Sequence, residues 1–288
     1  MTGPQAMIDA MVAAINAADS PACVGIDPVF AKMPSELQSF RETQAVETLC
    51  TAIIDACTGV VGVVKPQSAC FERYGSAGYA ILERTIARAR DAGLVVILDA
   101  KRGDIGSSAQ HYAIGAADMG AHFITVSPYM GPSTIEPFLE AGLGVFALVR
   151  TSNPDSDRLQ SSALVSGKTV AEEVGSMIAE MGTPSIGAAG LSGLGAVVGA
   201  TKAADAKTLR EIMPNQMFLV PGVGAQGGAI EDVRTLLRPG ANSAGELGVI
   251  INSSRSVNYA SPKPGQAWQD AIHEAAVQLA ANLRVLNP

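Results

Sequence analysis

Histidine, cysteine and net positive charge are all in short supply in this sequence, and no hydrophobic run in it is long. The three histidines, His111, His122 and His273, are dispersed, and none stands in an H-E-x-x-H or similar ligand array, so no histidine-based metal centre is expected. The four cysteines, Cys23, Cys50, Cys57 and Cys70, form no C-x-x-C pair and follow no signal peptide, which predicts reduced, mostly buried thiols in a cytoplasmic protein. A formal charge of -7 and a pI near 5.0 argue against a nucleic-acid-binding surface. They still allow one small basic pocket for an anionic ligand. The longest apolar stretches are broken by Gly, Asp or Lys well short of the roughly 20 residues that a membrane span needs.

What is present is ample core. With 288 residues and 48% hydrophobic content, the chain can bury the interior of one large domain or two small ones. Short β-type runs recur at Ala22–Ile26, Val60–Val64, Leu94–Leu98, His122–Val126, Gly144–Val149, Leu194–Gly199, Met217–Val220 and Gly248–Ile251. They are continuously apolar rather than alternating, as parallel strands covered on both faces should be. Helical spacing separates them, as in Val46, Leu49, Cys50, Ile53, Ile54 and Cys57, and again in Val170, Val174, Met177, Ile178 and Met181. A further helix precedes the first strand (Ile8, Met11, Val12, Ile15), and another follows the last (Trp268, Ile272, Ala275, Leu279). Eight βα units predict a single (β/α)₈ TIM barrel over residues 1–288 with an extra N-terminal helix, the doubly wound open sheet being the alternative. Surplus length falls at Val29–Phe40 and Pro154–Lys168, both polar and expected as loops on the active face.

In such a barrel the strand ends carry the chemistry. Residues 99 to 105, Asp-Ala-Lys-Arg-Gly-Asp-Ile, directly follow an apolar strand. Asp99 and Lys101, two apart, leave the same face of an extended strand, while Asp104 falls where a helix begins. Strand one ends at Asp27, strand two at Lys65, strand five at Thr151-Ser152-Asn153, strand seven at Pro221-Gly222 and strand eight at Asn252 to Arg255. Any one of these could be a turn or cap residue. Four alternating charges, Lys65, Asp99, Lys101 and Asp104, would be costly to bury without purpose.

The segment Pro221 to Gly228, P-G-V-G-A-Q-G-G, contains G-x-G-x-x-G, but only one strand follows it, which speaks against a dinucleotide fold. The loops after strands seven and eight are the usual phosphate site of a barrel, and Arg255 supplies a guanidinium fork that fits phosphate oxygens. The predicted ligand is a phosphate monoester.

Taken together, D-x-K-x-x-D-I at 99 to 105, Lys65 after strand two, Ser152-Asn-Pro after strand five, P-G-V-G-A-Q-G-G and S-S-R at 253 to 255 resemble orotidine 5′-phosphate decarboxylase, in its longer bacterial, mycobacterial-like form. The resemblance runs in order from about Ala22 to Arg255. It implies a homodimer of (β/α)₈ barrels that converts orotidine 5′-monophosphate to UMP and CO₂ with no metal or organic cofactor, in the last step of de novo pyrimidine synthesis. By matching position, Lys101 would protonate C6 and Asp99 would face the departing carboxylate. Lys65 and Asp27 would bind ribose hydroxyls and hold the charge network. Asp104 would cross the dimer interface with Ser108, whose position usually holds threonine. Ser152 would read the pyrimidine; Pro221, Gly224, Gln226, Ser254 and Arg255 would form the phosphate grip, with Ser254 standing where shorter relatives have glycine. Two other readings are a Mg²⁺-dependent sugar-phosphate decarboxylase or aldolase of the same barrel group, which needs an acid where Lys65 stands, and a non-catalytic phospho-nucleotide binder.

Overall fold

The computed structural model describes residues 3–200, 203–222 and 230–288. Eight strands, β1 (Ala22–Ile26), β2 (Val63–Pro66), β3 (Val95–Arg102), β4 (Phe123–Val126), β5 (Gly144–Arg150), β6 (Ser192–Val198), β7 (Gln216–Pro221) and β8 (Val249–Ser253), pair in parallel, each with the next. Closure is direct: β1 pairs with β8 at Ala22↔Ile251, Cys23↔Asn252 and Val24↔Ser253. The expected (β/α)₈ barrel is therefore present, and the open doubly wound sheet is excluded.

The continuous hydrophobicity of the strands follows from burial on two faces. Cys23, Val63, Val95, Ile97, Phe123, Phe146, Val197, Met217, Leu219 and Ile250 fill the lumen. They pack against Ile8, Met11, Val12 and Ile15 of the N-terminal helix Pro4–Ala18, which plugs the end of the barrel where the strands begin. Residues of the other parity, among them Val24, Val64, Val96, Leu98, Ile124 and Val145, meet the outer helices, including Glu42–Cys57, Gly75–Asp91, Val170–Gly182 and Trp268–Leu283. A period of two that puts Val95 and Ile97 in the lumen also brings Asp99 to it, and Val63 likewise brings Lys65. Among the described residues no helix is long and apolar enough to cross a membrane.

Three local departures from expectation have physical causes. β2 begins at Val63 rather than Val60, because Gly62 passes so close to the N-terminal helix that a Cβ there would lie 2.4 Å from the Ala14 carbonyl oxygen. The strand also runs on to Pro66, so Lys65 lies inside it, not after it. The helix after β3 starts at Gly106, with Ile105 in the capping position, and Asp104 Oδ1 accepts instead from the Ile105 N–H at 2.9 Å. The stretches expected as loops also contain short helical turns, Phe30–Lys32, Ser35–Gln38 and Asp157–Gln160, with Met33 and Leu37 buried beneath the first two.

Candidate active site

The C-terminal ends of the strands surround a cavity of about 480 Å³. Its floor is apolar (Leu148, Val197, Leu219), continuing the lumen packing upward. Around that floor stand Asp27, Lys65, Asp99, Lys101 and Arg255, interleaved with Gln67, Thr125, Thr151, Ser152, Asn153, Gln160 and Asn252.

Asp99 is the hub. Its Oδ2 accepts from Lys65 Nζ at 2.6 Å and Gln67 Nε2 at 3.0 Å; its Oδ1 accepts from Lys101 Nζ at 2.6 Å and Thr125 Oγ1 at 2.8 Å. Burial alone would raise this carboxyl, but the two ammonium groups beside it reverse the effect and hold it well below the usual carboxylate range. Burial likewise works against the charge of Lys65, and Asp99, with Asp27 beyond it, more than restores it. The side chains of Lys65 and Asp99 are 6% and 8% exposed, whereas that of Lys101 is 46% exposed. One lysine is sealed into the wall and the other faces the open cavity.

The backbone at Lys101 has φ +47°, in the left-handed region that costs a non-glycine residue about 1–3 kcal/mol. The β3–β4 register skips here: Leu98 faces Ile124 but Arg102 faces Val126. Thr125 spans the irregularity, since its hydroxyl accepts from the Lys101 N–H at 2.9 Å while donating to Asp99. A strained backbone is thus held in place by a hydrogen bond from the neighbouring strand.

Close packing of backbones shapes the other walls. A Cβ on Gly199 would lie 2.8 Å from the Ser152 backbone, so this glycine is required by proximity, and one on Gly25 would lie 2.0 Å from Ser254 Oγ and force that hydroxyl to turn away. Arg150, at the end of β5 and 4% exposed, organises the segment that follows. It bonds Asp205 Oδ2 and Asp157 Oδ1, each at 2.6 Å, and the hydroxyls of Ser156 and Ser161. Gln160 Oε1 accepts from the Thr151 N–H at 2.8 Å, which joins the far end of this segment to the cavity wall.

The sequence matches the family model "Orotidine 5'-phosphate decarboxylase / HUMPS family" over residues 20–271. The chain belongs to this family. It is 40% identical to the orotidine 5′-phosphate decarboxylase of Rhodopirellula baltica, with 94% of this chain and 97% of that protein covered. It is 39% identical to that of Herpetosiphon aurantiacus, with 96% and 97% covered. Among solved structures, the Leishmania donovani OMP decarboxylase superposes with a TM-score of 0.78 at 28% identity, over 99% of this chain and 98% of that one.

Of the residues singled out from the sequence, Asp27, Lys65, Asp99, Lys101, Ser152, Pro221, Ser254 and Arg255 line the one cavity. Gly224 and Gln226 lie outside the described residues. Asp104 and Ser108 line no part of it; they stand at the start of the helix beyond β3. Sequence reasoning missed Gln67, Thr125, Gln160 and Arg150. Thr125 carried a signal, being the polar side chain within Phe123–Val126 and of lumen parity. Arg150 carried one too, as the first residue after the run Gly144–Val149, but the polar triplet Thr151-Ser152-Asn153 beyond it drew the reading.

Proposed function

We propose that this chain decarboxylates orotidine 5′-monophosphate to UMP and CO₂, the last step of de novo pyrimidine synthesis, using no metal or organic cofactor. The observation that carries the reading is Asp99, held ionised between two lysines at the rim of a closed-bottomed cavity, with Lys101 turned toward the open space. A cavity of about 480 Å³ is of a size to take a nucleotide. In the reaction the bond from C6 to the carboxylate breaks, CO₂ leaves, and the electron pair stays on C6 in the ring plane. A proton from Lys101 Nζ then forms the C6–H bond. No pyridinium-type electron sink is available, so positive charge must already stand where negative charge develops. Lys101, ion-paired at 2.6 Å and anchored at its backbone by Thr125, is such a charge. Asp99, kept anionic, does not take the lysine's proton. A substrate carboxylate about 4 Å from it would be repelled by roughly 4 kcal/mol at an effective dielectric near 20, and the departure of CO₂ relieves that.

Asp27 and Lys65 would bind the ribose hydroxyls, Ser152 would read the pyrimidine, and Pro221, Gly224, Gln226, Ser254 and Arg255 would hold the phosphate. Binding energy gathered there, remote from C6, can be used to fix geometry at C6. A sugar-phosphate enzyme using Mg²⁺ would require a carboxylate in place of Lys65, whose ammonium is committed to Asp99. Activity with orotidine 5′-monophosphate in excess EDTA is therefore expected. The buried free thiols Cys23, Cys50 and Cys57 suit a reducing cytoplasm.

The active protein would be a homodimer. Asp104 and Ser108 stand apart from their own cavity, at the start of a helix that also carries Ile105 and Tyr112, which are 50% and 43% exposed. A second copy covering this apolar face would receive Asp104 into its own site. The test is loss of orotate absorbance on mixing protein with orotidine 5′-monophosphate, then with Lys101→Ala and Asp104→Ala chains, separately and mixed. Each variant alone should be nearly inactive and the mixture should recover activity. A Lys101→Ala rate within tenfold of the parent would refute the proton donor, and a mixture no better than its parts would refute the shared site.

A further inference from the structure

Asp27 Oδ1 is a buried carboxylate oxygen with no hydrogen-bond partner among the described residues, and Asp27 lines the cavity. Something other than its own side chain must therefore fix its aim. The main chain around it is held by two consecutive side chains from the far side of the β8–β1 closure. Asn258 Oδ1 accepts from the Asp27 N–H at 2.9 Å, and Asn258 Nδ2 donates to the Gly25 carbonyl at 2.7 Å. Tyr259 Oη donates to the Asp27 carbonyl at 2.5 Å and accepts from the Val29 N–H at 2.7 Å. Pro28 has no N–H to offer. The polar groups of the main chain on both sides of Asp27 thus bond to two side chains that lie three and four residues after Arg255 in sequence.

Asn258 ends the short helical turn Arg255–Asn258. It is 1% exposed, and its N–H bonds back to the Ser254 carbonyl at 2.8 Å, while the Tyr259 N–H bonds to that of Arg255 at 3.2 Å. The turn that presents Arg255 to the cavity is therefore the same body that grips the Asp27 backbone. We infer that Asn258 and Tyr259 are positioning residues for Asp27: they set the carboxylate at the sugar end of the site in register with the arginine at the other end. The inference rests on the reading of Asp27 as a group that meets a ribose hydroxyl.

The alternative is that these bonds only close the barrel, in which case losing one would weaken turnover of every substrate alike. Tyr259→Phe removes the bridging hydroxyl and keeps the ring, and Asn258→Asp keeps the shape and the acceptor but removes the donor to Gly25. For each, kcat/KM is measured with orotidine 5′-monophosphate and with its 2′-deoxy and 3′-deoxy analogues, and Asp27→Ala identifies the hydroxyl that Asp27 reads. Both variants are expected to lose on the order of tenfold with the full substrate and less than about threefold with the analogue lacking that hydroxyl, since misplacing a binding group costs rate only where its contact exists. The discrimination ratio should therefore fall toward that of Asp27→Ala. Equal losses on both substrates, or an unchanged ratio in both variants, would overturn the inference while leaving Asp27 its role. If Asp27→Ala itself leaves both ratios unchanged, the sugar reading of Asp27 fails, and the positioning role falls with it.

Discussion

Lys65 and Arg210 are both buried cations, each about 5% exposed, at opposite ends of one barrel. Lys65 sits where strands end and pairs with a carboxylate that has a second lysine on its other oxygen. Arg210, in the helix Ala203–Ile212, sits where strands begin. It donates to the carbonyls of Met213, Gln216, Leu236 and Gly248 at 2.8–2.9 Å, lies 3.6 Å above the Phe218 ring, and makes no salt bridge among the described residues. Burial, then the nearby Arg238, pushes its guanidinium down to about 9, so it keeps its charge at neutral pH. Arg210 is saturated by fixed carbonyls and packs on the Phe218 ring. The mouth cation belongs to a network that leaves one ammonium beside open space. A buried charge is read as structural or as functional by what it leaves unsaturated, more than by how deeply it lies.

The largest effect should come from Lys101. Lys101→Gly removes the cation and also the left-handed strain, so kcat/KM is expected to fall by about 10⁴ or more while stability stays within about 1 kcal/mol of the parent. Chemical denaturation alongside the absorbance assay checks both. A large stability loss with modest loss of rate would place Lys101 with Arg210.

Arg210→Met should do the reverse. It strips donors from four buried carbonyls, so a loss of at least about 3 kcal/mol is expected, with kcat/KM of the folded fraction within about threefold of the parent. Retained stability would mean that water or neighbouring groups replace the guanidinium, and the contrast between the ends would be lost.

Arg150 tests the boundary, because like Arg210 it is a buried, multiply bonded arginine, but its partners are carboxylates and hydroxyls and it stands at the mouth. Arg150→Lys keeps the charge and loses the fork that reaches Asp205 and Asp157 together. A fall of roughly tenfold in kcat/KM is expected, larger in KM than in kcat, since the loop carrying Ser152 and Asn153 loosens while Lys101 is untouched. Lower stability with unchanged kinetics would class Arg150 with Arg210.

The two ends were unequally legible in the sequence. Continuous apolar runs such as Val95–Leu98 announced doubly covered strands, and lumen parity followed from the period of two, so Lys65, Asp99 and Lys101 could be brought together without coordinates. Thr125 and Gln67 escaped because their meeting with Asp99 depends on register between strands that are far apart in sequence. The positive φ of Lys101 escaped for a like reason, since the skip arises only when β3 is laid against β4. Arg210 lies in a helix of ordinary composition, and nothing local shows that its acceptors come from the starts of β7 and β8.

The smallest effect concerns pH, and it separates the network from an ordinary titrating site. Asp99 is depressed when folded, so its contribution to stability is complete above the unfolded carboxylate value and is lost only as pH falls below about 4. Lys65 is raised when folded, so its contribution is complete below the unfolded lysine value and is lost only as pH rises past about 10. Between pH 5 and 9 neither group changes protonation on unfolding. The stability difference between the parent and Lys101→Met, which leaves the Lys65–Asp99 pair in place, should therefore be level across that window, to within about 0.5 kcal/mol, and change only outside it. Denaturant titrations at pH 5, 7 and 9 measure it. A slope inside the window would mean that one member of the network exchanges a proton near neutrality. Asp99 would then be able to take the proton that the proposed chemistry reserves for C6.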